Sequence, residues 1–176
     1  MSSPALTYTP QKLYSVFQKQ AWNVWAGGLA VVSLWLAIIV SAPLAKLYGF
    51  NGYSAAVYHF YSFLCHQLPD RSLHIEGEQL AVCARCFGVY SGLFLGFAAY
   101  PFWRPIAEIE PLPRFWLFLS LVPMAIDWSL TFFGIWENTH LSRYLTGSIL
   151  GFACATFIIP ALVEITRNLK NRRVSE

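Results

Sequence analysis

Residues 83–103 read CARCFGVYSGLFLGFAAYPFW, a run in which Arg85 is the only charged side chain. About 20 consecutive apolar residues in a helix cross the hydrocarbon core of a bilayer. A helix also satisfies its backbone hydrogen bonds within one segment, which lipid requires, and the run lacks the apolar–polar alternation typical of a strand. These residues therefore predict a membrane-spanning helix.

Apolar runs at 22–47, 115–136 and 141–163 predict three further spans. Charged residues form only 12% of the chain, about half the fraction of a soluble domain. Residues 53–67 are also apolar, but this short run is interrupted by His59 and ends in Cys65 and His66, so an interfacial or re-entrant helix is expected there. Residues 68–80 are interpreted as an ordered loop. The predicted fold class is an all-α integral membrane protein with four transmembrane helices plus one short outer helix.

The distribution of lysine and arginine predicts the orientation, because positively charged flanks stay in the cytoplasm. If the spans alternate, one side receives Lys12, Lys19, Arg104, Arg114, Arg167, Lys170, Arg172 and Arg173. We therefore expect a cytoplasmic N-terminal segment at 1–21, a single transmembrane domain at 22–165 and a basic cytoplasmic tail at 166–176, in the cell (inner) membrane. The first span is expected to be retained and not cleaved as a signal peptide.

The same alternation places residues 48–82 and 137–140 on the extracytoplasmic side. Four basic residues then lie on that side: Lys46, Arg71, Arg85 and Arg143. Lys46 can extend its charge to the interface from a helix end. The three arginines lie beside cysteines or at the outer start of a helix, so we interpret them as groups that bind a cofactor or an anionic ligand.

Glycines recur at every fourth residue in two predicted spans, as Gly88, Gly92 and Gly96 in the second and Gly147 and Gly151 in the fourth. Small residues at this spacing let helix backbones approach closely in lipid. We interpret these as helix-packing faces, which would also suit a homo-oligomer within the bilayer.

Asp127 falls about midway along the third predicted span. A carboxylate near the bilayer centre costs several kcal/mol unless it is paired or hydrated, so Asp127 should face the bundle interior. Its candidate partners are Arg143, Arg85 and the hydroxyls of Ser129 and Thr146. A structural clamp and a proton-handling or ligand-binding role both stay open. In the second case the chain would be a small transporter or channel subunit, and four spans would have to oligomerise to enclose a pathway.

Three thiols, those of Cys65, Cys83 and Cys86, are expected on the extracytoplasmic side, with His66 adjacent to the first. Three cysteines and one histidine form one of the tetrahedral ligand sets that hold zinc. The pattern C-x-x-C-x-G favours such a site, because Gly88 leaves backbone amides free to hydrogen-bond the sulfurs. The sequence therefore predicts a metal site, for zinc before iron or copper, with either a structural or a catalytic role.

Other residues bear on the metal-site hypothesis. His59 or His74 could replace His66 as the fourth ligand. Arg71 and Arg85 could balance the net negative charge of a zinc ion bound by three thiolates. Cys154, within the fourth predicted span, is interpreted as a small buried apolar residue.

The main alternative is a membrane thiol–disulfide oxidoreductase that uses Cys83 and Cys86. Without a metal, the neighbouring arginines and the helix N-terminus would make these thiols better nucleophiles. The arrangement resembles that of membrane enzymes that pass electrons from disulfide formation to a quinone. In an enzyme, the catalytic candidates would be Cys83, Cys86, Asp127 and Arg85. A structural disulfide with one spare thiol is the remaining alternative.

Four motifs resemble those of a family of predicted bacterial and archaeal membrane proteins, domain of unknown function 2085. They are CHQLPDRS at 65–72, CARCFGVYSG at 83–92, PMAID at 123–127 and SRYLTGSILG at 142–151. The resemblance extends over roughly residues 58–151 and implies a membrane fold, but it adds no reaction. The motif positions include the cysteines, arginines and aspartate already singled out.

Several function classes lack support in the sequence. The chain has no P-loop, dinucleotide fingerprint, HExxH or GxSxG motif. Covalent haem attachment is excluded because Phe87, not histidine, follows Cys86. The net charge is only +3 and the cations lie on the membrane flanks, so the sequence lacks the basic patch that nucleic-acid binding requires.

Overall fold

The structure, a computed structural model, describes residues 11–174, with side chains described for residues 15–169. In chain order the elements are α1 Gln11–Leu47, α2 Asn51–Ser62, a 3₁₀ turn Pro69–Arg71, β1 Ser72–Ile75, β2 Glu78–Cys83, α3 Ala84–Trp103, α4 Phe115–Phe132 and α5 His140–Val174. Four helical stretches are long and apolar enough to cross a membrane: Ser15–Leu47, Ala84–Trp103, Phe115–Phe132 and His140–Leu169. The predicted helical membrane fold with four spans is confirmed.

The interpretation of residues 68–80 as a loop is wrong, because they form the 3₁₀ turn and most of an antiparallel β-hairpin. Ile75 pairs with Glu78 across a two-residue turn in which Glu76 has φ 49° and Gly77 has φ 85°. Two successive residues with positive φ give the type I′ turn, whose twist matches that of paired strands.

Several helix ends differ from the predicted ones. α4 ends at Phe132, before residue 136, and α2 ends at Ser62, before residue 67. α1 and α4 both stop at a left-handed glycine, Gly49 with φ 83° and Gly134 with φ 68°, which closes the last turn with backbone hydrogen bonds. α5 runs to Val174, so the described part of the predicted tail is helical. Residues 1–10 and 175–176 of the predicted terminal segments lie outside the described residues.

The glycine faces pack α3 against α5, which form the most extensive helix contact in the described chain. A Cβ atom on Gly92 would lie 2.1 Å from the backbone oxygen of Ser148, and one on Gly151 would lie 2.0 Å from that of Val89. Only hydrogen fits at these crossings. The faces proposed for a homo-oligomer are thus already used within one chain.

Residues 51–83, which we name the cap, cover one end of the helix bundle. α2 runs antiparallel to the last third of α1. Two hydrogen bonds join the helices: Ser54 Oγ donates to the carbonyl of Ala42 at 2.9 Å, and Tyr61 Oη donates to that of Trp35 at 3.1 Å. Apolar residues of α1, α2 and β2, together with Cys65 after α2, form one buried cluster at this end: Ile39, Ala42, Val57, Tyr61, Cys65, Leu80, Ala81 and Val82. A second cluster, around Phe97 and Ile159, fills the opposite end of the bundle.

Candidate metal centre

The hairpin brings the two cysteine-bearing segments together. Cys65 follows α2, and Cys83 ends β2 and directly precedes α3. The backbone N–H of Cys83 donates to Sγ of Cys65 at 3.2 Å. Because β2 continues into α3 without a linker, the position of the hairpin fixes where Cys83 meets Cys65.

Cys65, Cys83 and Cys86 form a thiol triad in which the three Sγ atoms all lie within 4.8 Å of one another. Cys83 and Cys86 share one side of the first helical turn because residues three apart are neighbours on a helix. Cys65 is buried, while the other two are partly exposed. Tetrahedral zinc–thiolate bonds of about 2.3 Å hold sulfurs about 3.8 Å apart, so the donor set fits one such ion.

Local hydrogen bonding favours the thiolate form of Cys65. Hydrogen bonds from the thiols of Cys83 and Cys86 hold the pKa of the Cys65 thiol well below its ordinary value, with the backbone N–H groups of Cys83 and Gln67 contributing. Burial of the Cys65 side chain opposes this effect on its pKa. Thiolates, and not thiols, bind metals and attack disulfides.

Gln67 connects the chain segments that carry Cys65 and Cys83. Its backbone has φ 49°, and its Nε2 donates to the carbonyls of Tyr58 at 2.8 Å and Ala81 at 2.7 Å. In return, Nε2 of Gln79 donates to the carbonyl of Gln67 at 3.2 Å. One side chain thus ties α2 to β2 next to Cys65.

The predicted histidine ligands are less closely placed than the thiols. His66 is exposed and lines a cleft of about 240 Å³ together with the triad, but its ring nitrogens lie outside the converging group found among the described residues. His59 is exposed on α2, with its ring 5.1 Å from that of Phe63, and His74 is exposed on β1. Cys154 is half-buried on α5, away from the triad.

A second cavity, of about 280 Å³, borders the triad and is named here the arginine cavity. It is lined by Arg71, Cys83, Arg85, Cys86, Trp128, Thr131, Phe132, Asn138 and Arg143. The arginines come from the 3₁₀ turn, α3 and α5, so the fold gathers three separate parts of the chain around one space.

Asp127 joins α4 to this arginine cluster. Arg85 Nη2 donates to Asp127 Oδ2 at 2.5 Å, and Asn138 Nδ2 donates to the same oxygen at 2.9 Å. Arg143 reaches Asp127 indirectly, because its Nε donates to Asn138 Oδ1 at 2.7 Å. Asp127 lies near the end of α4 and not midway along it, since α4 stops at Phe132. A hydrogen-bonded chain of four residues, which we name the Asp127 link, therefore lies at the triad end: Arg85, Asp127, Asn138 and Arg143.

A family described as Predicted membrane protein (DUF2085) matches residues 65–157. The chain belongs to this family. The DUF2085 match begins at Cys65 and includes the whole triad, Asp127 and Arg143. Both cavities described above are therefore built mainly from the part of the chain that defines the family.

Two archaeal proteins are similar to this DUF2085 member over most of their length. The uncharacterized protein MJ1492 of Methanocaldococcus jannaschii is 34% identical over 145 residues, which cover 78% of this chain and 93% of that protein. An uncharacterized protein of Methanothermobacter thermautotrophicus is 30% identical over 105 residues, which cover 58% of this chain and 93% of that protein. No solved structure matches the chain.

Sequence reasoning missed two residues that organise the DUF2085 site. Asn138 lies in a loop with no recognised motif, although its place just before Thr139, whose Oγ1 accepts from the N–H of Ser142 at 3.1 Å, is typical of a helix start. The connecting role of Gln67 was also missed, although the residue lies within CHQLPDRS. The available signal was its position in that motif, directly after Cys65 and His66 and two residues before Pro69.

Proposed function

We propose that the thiol triad binds a single metal ion, zinc, and that this ion fastens the cap to the start of α3. The observation that carries the proposal is the convergence of three Sγ atoms from two chain segments within 4.8 Å. Soft thiolate donors select zinc, copper(I) or iron–sulfur chemistry over magnesium or calcium. Zinc is the proposed ion because proteins usually bind it through three or four thiolate and imidazole ligands.

The fourth ligand decides whether the site is structural or catalytic. His66 lines the same cleft and could complete a closed Cys₃His set after a change of rotamer. A water molecule or substrate in that position would give the open coordination of catalytic zinc sites. Three thiolates leave the zinc site with a net charge of −1, which Arg71 at the edge of both cavities would offset.

The test is elemental mass spectrometry of protein purified in mild detergent without chelator, combined with a count of reactive thiols. Wild-type protein should hold one zinc per chain, and Cys65→Ser, Cys83→Ser and Cys86→Ser should each lose it. Cys154→Ser is the matched control, because it removes a thiol outside the triad, and it should keep the metal. Iron or copper in place of zinc would correct the identity of the ion, while metal-free wild-type protein would refute the proposal.

Thiol–disulfide exchange is the second candidate, favoured by the contact of Cys65 with the C-x-x-C pair. Two of the three thiols would form a disulfide and pass two electrons and two protons to a quinone, with the third thiol able to exchange with that disulfide. A disulfide between Cys83 and Cys86 that forms when a soluble quinone is added, with release of hydroquinone, would support this function. Thiols that stay inert until a chelator is added would support the metal site.

The orientation is part of the proposal. Both chain termini lie in the cytoplasm and the triad lies on the opposite side, which the charge distribution supports. A fluorescent protein fused after residue 176 should fluoresce, and an alkaline phosphatase fused there should be inactive. The reverse pattern would place the triad in the cytoplasm.

A further inference from the structure

The arginine cavity holds more positive charge than the surrounding chain neutralises. Arg71, Arg85 and Arg143 line it, and none of the described residues that line it is acidic. The nearby carboxylate of Asp127 binds one of the three, Arg85. Because all three arginines line this one space, their positive charges repel one another. Such a group of like charges is stabilised by an anion between them.

The three arginines also have unused hydrogen-bond donors. The side chain of Arg71 has no hydrogen-bond or ion-pair partner among the residues that the structure describes. Nε of Arg85 is buried and has no partner within the same part of the chain. Among the described residues, Nη1 of Arg143 reaches only the carbonyl of Asp70, at 3.5 Å, which is long for a hydrogen bond. The donors of Arg71 and Arg143 are available to a bound acceptor, while the unpaired Nε of Arg85 adds an unneutralised polar group at the cavity wall.

The walls of the cavity limit the size of that acceptor. Its volume of about 280 Å³ is just below the range of about 300–1,000 Å³ of drug-sized ligand sites. Trp128 and Phe132, whose rings stack at 5.0 Å, form an apolar wall. A small charged group, with an apolar portion against these rings, matches the space.

We propose that the arginine cavity binds a ligand through one phosphate group, held by Arg71, Arg85 and Arg143 beside Cys83 and Cys86. Guanidinium groups match phosphate oxygens with paired, charge-assisted hydrogen bonds. After Asp127 is counted, the cluster has two positive charges in excess, or one when the net charge of −1 of the proposed zinc site is included, and a phosphate group carries a negative charge of this size. The phosphate ligand would lie beside the proposed metal ion, so the inference names a ligand for the proposed function. Only this role beside the metal rests on the proposed function.

The experiment measures thermal unfolding in a neutral detergent and phosphate-free buffer, with increasing inorganic phosphate against sodium chloride of equal ionic strength. A parallel series adds short-chain phosphatidic acid to the micelles, against the matching diacylglycerol. Arg71→Gln removes a guanidinium that has no side-chain partner among the described residues, so its own folding should be little affected. Lys46→Gln is the matched control, because it removes a cation of α1 that pairs with Glu78 of the cap and does not line the cavity.

Wild type and Lys46→Gln should be stabilised saturably, whereas Arg71→Gln should need about 10-fold to 100-fold more phosphate, the loss expected for a charged hydrogen bond. A response to inorganic phosphate indicates a soluble ligand, and an Arg71-dependent response to phosphatidic acid alone indicates a lipid headgroup. No response to either probe, or equal responses of wild type and Arg71→Gln, would overturn the inference.

Metal content measured in the same samples separates the two proposals. Arg71→Gln should keep its zinc, because Arg71 supplies no ligand. Metal-free wild-type protein that still binds phosphate through Arg71 would refute only the metal site. Zinc-loaded protein without Arg71-dependent phosphate binding would refute only the phosphate site.

Discussion

α5 holds its two neighbours, α3 and α4, in different ways. α3 approaches it through glycines, so closely that an added Cβ at Gly88 or Gly92 would lie 2.2 or 2.1 Å from a backbone oxygen. α4 makes a smaller contact with α5, and its apolar side chains face outward, with Phe118 64% and Ile126 54% exposed. At the triad end, α4 is joined to the other helices by the Asp127 link. The comparison indicates a rigid α3–α5 pair and an α4 whose attachment depends on a few polar groups next to the site.

The largest effect is expected from breaking the α3–α5 contact with Gly92→Ala. The new methyl group would meet the backbone of Ser148, which cannot move unless the helices separate. We expect a loss of about 3 kcal/mol, the upper part of the usual range for overpacking, measured by thermal unfolding in detergent. Gly27→Ala is the control, because a Cβ there has nothing within 4 Å and should leave the protein as stable or slightly more so. Equal melting temperatures of the two variants would contradict the close packing.

A smaller effect is expected from releasing α4 with Asp127→Asn, which leaves Arg85 without its anion. The side chains are only 24% and 10% exposed, so we expect a loss of about 2 kcal/mol, below the cost of a fully buried pair. Limited proteolysis should show faster cleavage in the loops around α4, while the α3–α5 pair stays intact. The double variant Arg85→Met with Asp127→Leu should recover stability, and its failure to do so would show that the pair contributes more than charge compensation.

The cap offers a test outside both helix contacts. Gln67→Glu keeps the side-chain shape but removes the donors to Tyr58 and Ala81, which should cost about 1–2 kcal/mol. Hydrogen exchange should accelerate in the hairpin, and Cys65 should become more reactive in metal-free protein. Gln18→Glu, at an exposed position on α1, introduces the same charge and should change neither measurement. Faster exchange in α4, with unchanged exchange in the hairpin, would show that Gln67 does not stabilise the hairpin.

The smallest effect is expected from Lys46→Gln, which removes the exposed ion pair with Glu78 between α1 and the hairpin. Surface pairs of this kind contribute about 0–1 kcal/mol and weaken as salt screens them. The difference from wild type in melting temperature should therefore disappear at high salt. A difference that persists would show that the pair is effectively buried, for example by lipid.

The membrane spans could be predicted because apolar length is a direct physical requirement of the bilayer. The glycine pattern also indicated a close helix contact, which the structure assigns to α3 and α5. The hairpin was missed because β1 has only four residues and its turn, Glu76–Gly77, lacks the Asn-Gly or Asp-Gly pair that marks such turns most strongly. Short strands of this kind are decided by packing on α1 and not by local preference.

The candidate site was predictable in composition but not in arrangement. Alternation of the spans was enough to expect the three cysteines and three arginines at one end. The spacing of Cys65 and His66 does not determine the direction of the His66 ring, which lies outside the converging group of thiols. Asp127 could be assigned an arginine partner, but the choice of Arg85, with Asn138 as the connection to Arg143, depends on how far α4 extends.

The chain from Cys65 to Cys83 forms a loop that closes where these two residues meet, and the tip of the hairpin is its far end. Glu76 and Gly77 at the tip are exposed, and a Cβ on Gly77 would have nothing within 4 Å. Lengthening such a loop is inexpensive, at about 0.6 kcal/mol for each doubling of its length. The tip is therefore a natural place to insert an epitope peptide, which antibodies added to intact cells could then detect from one side of the membrane.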